Sequence, residues 1–166
     1  MTRWIAPLAL AALGLVGCLP ENVETVVLTP TSPEIEQALR AADARWEAAG
    51  VDPDRIQIGP GGAPVTLVPE RGIASETRVT YAAEAFRGVK WIELNSIDPN
   101  MVTHEMGHAL GIQFHPDDPG ELGAEECAQG AEGRPLMCSH VGARIGAEDL
   151  GEACAAGACP HFTPEL

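Results

Sequence analysis

Apolar residues recur at helical spacing in "TSPEIEQALRAADARWEAAG", where Ile35, Leu39, Ala42 and Trp46 fall on one face. Ser32 is placed as N-cap, Pro33 at the first helical position and Gly50 at the end. The segment therefore predicts a long helix that packs on a sheet. Before it, "VETVVLT" is rich in β-branched residues and predicts a strand. After it come four further strand candidates, "RIQIG", "PVTLVP", "RVTYAA" and "VKWIELN", with "GPGGAP" (Gly59 to Pro64) as the turn between the first two. Asp98 and Pro99 then supply a second helix start. The run from Pro116 to Pro135, rich in Gly, Pro and acidic residues, predicts a long loop, and a last short helix is expected over Ala147 to Cys154. No internal repeat and no second domain is evident. The expected fold is α+β: a small mixed sheet with a long packing helix, an active-site helix and a short C-terminal helix.

Composition narrows the partners. With 166 residues and 45% hydrophobic positions, the chain is sized for one domain with a real core. Its formal charge of −14, with Lys90 the only lysine, argues against nucleic acid or anionic lipid surfaces as partners. The acidic excess reads as a solvated surface, and a monomer is expected.

The first residues read as an address. Arg3 supplies a positive start, and Trp4 to Gly17 is an apolar run too short to span a bilayer. It ends in "LVGC", Leu15 to Cys18, which resembles a bacterial lipobox. That resemblance implies a signal peptide over 1–17, a lipidated tether over 18–22 and a folded domain over 23–166. Acyl chains on Cys18 would hold the protein at a membrane without spanning it. The expected location is the cell envelope, at the outer membrane or cell surface if the cell has an outer membrane.

Setting Cys18 aside leaves Cys127, Cys138, Cys154 and Cys159, an even number in an exported chain, so two disulfides are expected. Of the three pairings, the local ones, Cys127–Cys138 and Cys154–Cys159, are favoured. A four-cysteine zinc site competes, but no Cys-x-x-Cys pair is present.

The chemistry concentrates in "VTHEMGHALGIQFH", Val102 to His115. His104 and His108, four apart on a helix, present both imidazoles to one ion, with Glu105 beside them. Val102, Met106, Ala109 and Leu110 fall on the other side, suited to fixing the helix against the core. Gly111 is placed to end the helix and turn the chain back toward the ion. His-Glu-x-x-His-x-x-Gly resembles the metzincin zinc-protease signature. Met137 in "RPLMCSH" stands where that superfamily has its Met-turn. The order of elements and "GAEDLGEA" resemble a minimal matrixin-type domain, so the likeness spans most of Val23 to Ala155.

The resemblance implies a zinc endopeptidase, with one catalytic zinc ion activating water, Glu105 as general base and an extended peptide aligned along an edge strand within Val65 to Asn95. The resemblance leaves calcium dependence open. The third ligand departs from the pattern: Phe114 occupies the superfamily's position, and a histidine, His115, follows one residue later. His115 is the expected ligand, with Asp117, Asp118 and His140 as alternatives. A hydrolase of another His-Glu-x-x-His group would use an acidic ligand such as Glu121 or Glu125. A non-catalytic lipoprotein with a degenerate metal fold, acting as a binding module, is the reading from a different class. His161 receives no role.

Overall fold

The computed structural model describes residues 25–69, 75–82, 85–113, 115–116, 124–128, 130, 132–139 and 141–159. Cys18 and the leader, Phe114, Asp117, Asp118, Glu121, His140 and His161 lie outside the described residues.

Five strands form one mixed sheet: β1 (Val26–Pro30), β2 (Ile56–Ile58), β3 (Ala63–Leu67), β4 (Glu76–Ala82) and β5 (Ala85–Leu94), in the order β2-β1-β3-β5-β4. The first four in that order run parallel, and β4 closes the sheet antiparallel to β5. The helices are α1 (Pro33–Ala49), α2 (Pro99–Ala109), α3 (Ala124–Cys127) and α4 (Ala147–Ala155). The α+β architecture expected from the sequence is the one observed.

Helix α1 forms as its sequence dictates. Ser32 Oγ accepts the Ile35 N–H at 3.3 Å, and Gly50 ends the helix with a φ of 119° that favours glycine. Its buried residues are Ile35, Leu39, Ala42 and Trp46, the predicted face. Each large side chain among them contributes roughly 1.5–3 kcal/mol by leaving water. They meet Val26, Leu28, Val65, Ile92 and Leu94 of the sheet and Val102, Met106, Ala109 and Leu110 of α2 in one core.

Helices α1 and α2 are also tied by polar contacts. Trp46 Nε1 donates to the Thr103 carbonyl at 2.9 Å. Arg45 donates to Pro99 O, Asn100 Oδ1 and Thr103 Oγ1 near the start of α2, and to Ala143 O beyond it. The start of the second helix is thereby fixed to the first.

Two details differ from expectation. The hairpin strands β4 and β5 begin earlier than "RVTYAA" and "VKWIELN", because antiparallel pairing extends through Glu76↔Glu93 at one end and Ala82↔Ala85 at the other. The loop expected from Pro116 to Pro135 is interrupted by α3, whose "AEEC" consists of helix-compatible residues ending at a disulfide cysteine.

The disulfides join Cys127 to Cys138 and Cys154 to Cys159, the favoured local pairing. The first ties α3 to the residue after Met137. In a chain-entropy picture a cross-link closing so short a loop is worth about 3 kcal/mol. No helix among the described residues is long and apolar enough to cross a membrane.

Candidate metal centre

Helix α2 is held at both ends by the devices its sequence carries. At the start, Asp98 Oδ1 accepts the N–H groups of Asn100 at 3.0 Å and Met101 at 3.2 Å. At the end, Gly111 takes a φ of 108° and donates to His108 O, while Ile112 N–H reaches back to Gly107 O at 3.2 Å. These paired bonds form a Schellman turn, and the buried Ile112 seals it. Gly111 thus reverses the chain, as its position in the sequence predicts.

Beyond the turn, His115 returns to the helix. The ligating atoms of His104, His108 and His115 all lie within 4.8 Å of one another. The three rings contact pairwise, with centroids 4.9, 5.2 and 5.1 Å apart. His115 therefore reaches the pair on the helix although it follows Gly111 by four residues rather than three.

The ring nitrogens are oriented by carbonyls. His104 Nδ1 lies 2.8 Å from Leu136 O, and His108 Nδ1 lies 2.8 Å from Ile112 O. A carbonyl only accepts, so each Nδ1 is the donor and each Nε2 carries the lone pair that a metal needs. Such outer contacts fix tautomer and ring direction in metal-binding histidines. The carbonyls come from informative places: Ile112 from the Schellman turn, and Leu136 from the residue before Met137.

The separation of His115 Nε2 from His104 Nε2 tests the fit to an ion. Two nitrogens about 2.0–2.1 Å from one tetrahedral zinc stand about 3.3 Å apart. The observed separation is 3.3 Å. A hydrogen bond from a protonated His115 Nε2 to His104 Nε2 also suits that distance. The donor set fits a borderline-soft divalent ion, and the geometry does not choose among such ions. His104 is buried while His108 and His115 are partly exposed, so one side of the cluster faces solvent.

Glu105, next to His104, is buried with 3% of its surface exposed. Its Oε2 accepts the Thr77 hydroxyl at 2.7 Å. Burial pushes its carboxyl up to about 7, against the Thr77 hydrogen bond that lowers it and with the charge of Glu76 adding to the rise. A cation held by the three imidazoles would draw it back down.

Met137 lies beneath the helix, 1% exposed and against Gly107. Glu125, offered for a different class of hydrolase, is exposed and stands outside the histidine cluster.

Three contributors escape sequence reading. Thr77 lies 28 positions from Glu105, and no motif joins them. The Leu136 carbonyl is backbone, so its residue type gives no signal. Asp149 is buried, and its Oδ2 accepts the N–H groups of Gly146 at 2.7 Å and Leu136 at 3.2 Å. It thereby links α4 to the segment whose carbonyl orients His104. An acidic residue three positions past Gly146 was the available signal, since such residues reach back to cap a helix start.

No protein-family model matches the chain, and no curated protein matches it.

Proposed function

We propose that this chain is a zinc-dependent endopeptidase of metzincin type, held at the cell envelope by a lipid on Cys18. The observation that carries this reading is the convergence of His104, His108 and His115, with the buried carboxylate of Glu105 alongside but outside the ligand set. Three imidazoles leave a fourth position open on zinc, the pattern of catalytic rather than structural sites.

When bound, zinc would supply Lewis acidity to the scissile carbonyl and acidify water at that position. The three histidines would hold the ion, with two of them oriented through Leu136 O and Ile112 O. Glu105 takes a proton from the attacking water as its oxygen bonds to the carbonyl carbon. It returns that proton to the nitrogen as the C–N bond breaks. The substrate is an extended peptide aligned along β4, the edge strand that reaches Glu105 through Thr77.

The decisive experiment is metal analysis of the purified chain together with peptide cleavage by wild type and Glu105→Ala. The expected result is one zinc per chain in both and cleavage by the wild type alone. Zinc binding with no cleavage by either would favour a metal-holding binding module. Equal cleavage by both would remove Glu105 from its role and sink the assignment.

A further inference from the structure

Glu105 carries a flexible side chain, yet a general base must present one oxygen to one water. The structure supplies a partner for that task on a different element. Strand β4 is one edge of the sheet, and α2 packs against both β4 and β5. Thr77 pairs with Ile92 of β5, and Ile92 is wholly buried in the core. Side chains paired across a sheet share a face, so this register directs Thr77 toward the helix layer. The pairing shifts register between Arg78 and Val79, immediately beyond it. Such irregularities re-aim neighbouring side chains.

The Thr77 hydroxyl lies 2.7 Å from Glu105 Oε2 and 3.1 Å from Glu105 O. An ionised carboxylate and a carbonyl both only accept, so the single hydroxyl proton must choose between them. The shorter contact to the charged oxygen takes it, at the length of a charge-assisted O–H···O bond. Glu105 Oε1 has no hydrogen-bond partner among the described residues.

We propose that Thr77 is the positioning residue for Glu105: its hydroxyl pins Oε2 so that Oε1 is the oxygen presented to water. This rests on the hydrolase reading above. It makes one strand responsible both for aligning the peptide and for setting the base. A sheet strand suits this task, because precise sites need supports more rigid than loops.

The test compares wild type, Thr77→Val and Thr77→Ser as purified chains. Valine keeps the branched shape and removes the hydroxyl, whereas serine keeps the hydroxyl. With zinc bound, Thr77→Val is expected to hold the metal as the wild type does but to lose roughly 10–100-fold in kcat, the usual effect of an outer-shell partner. Its KM should stay within about twofold, because the lost interaction is not a substrate contact. Thr77→Ser should recover most of kcat.

A second readout uses no turnover. In crystal structures of the zinc-free chain, the Glu105 carboxylate should hold one position in wild type and Thr77→Ser and spread over several in Thr77→Val. Wild-type kcat together with a single carboxylate position in Thr77→Val would overturn the proposal. If the wild type cleaves no peptide, the hydrolase reading fails, and the zinc-free structures still decide whether Thr77 positions Glu105.

Discussion

Met137 Sδ lies so close to Gly107 that a β-carbon added there would stand 2.4 Å from the sulfur and 3.0 Å from Trp46 Cζ2. The glycine in the middle of "HEMGH" therefore provides the space in which the methionine seats beneath the helix. Alanine would ordinarily favour a helix interior by about 1 kcal/mol over glycine. Here both neighbours are almost wholly buried, so the methionine must shift within the core to admit the added carbon, and overpacking of this kind costs roughly 1–3 kcal/mol. Gly107→Ala is expected to lower Tm in thermal unfolding. It should also weaken zinc binding, because displacing Met137 moves the adjoining Leu136 carbonyl that orients His104. An unchanged Tm and zinc affinity would show that the seat is not as tight as the geometry indicates.

His115 is the third ligand of the proposed zinc site, and its nitrogen stands 3.3 Å from that of His104. Removing a direct ligand should cost more than the roughly 10–100-fold typical of outer-shell changes. His115→Ala is therefore expected to lose zinc to a competing chelator at concentrations that leave the wild type loaded. Retained affinity in His115→Ala, with loss in His140→Ala or Asp118→Ala, would transfer the role to one of those residues.

Much of this arrangement is legible in the sequence because the signals are local. Ser32, Pro33 and Gly50 bound α1, and Asp98, Pro99 and Gly111 bound α2, each through contacts spanning only a few residues. The pairing of His104 with His108 follows from helical periodicity alone. His115 was harder, since its return depends on the path of irregular backbone after Gly111. Thr77, and the contact of Asp149 with Leu136, lie beyond reach for a related reason. Their partners, Glu105 and Leu136, are brought near only when β4 meets α2 and when α4 meets the segment holding Met137. The extent of β4 and β5 was likewise set by their mutual pairing rather than by the composition of either strand.

Asp149 offers a prediction that depends on pH. Burial raises its carboxyl above the ordinary aspartate value of 3.8, while hydrogen bonds from backbone N–H groups and the nearby charge of Arg144 offset that rise only in part. The folded protein therefore binds this proton more tightly than the unfolded chain does. Between 3.8 and the raised folded value, the native state holds more protons, so stability falls as pH rises through that window. The contribution is fully present below the unfolded value and is lost above the folded one. Asp149→Asn keeps an acceptor for Gly146 and Leu136 but does not titrate. Other groups titrate alike in both proteins, so the difference in Tm between wild type and Asp149→Asn isolates this one. Measured from neutral pH downward, that difference should shift in favour of the wild type as Asp149 takes up its proton. A difference that stays flat, or moves the other way, would mean that the hydrogen bonds to Gly146 and Leu136 outweigh burial. Asp149 would then hold the Leu136 segment as a comfortable carboxylate rather than a strained one.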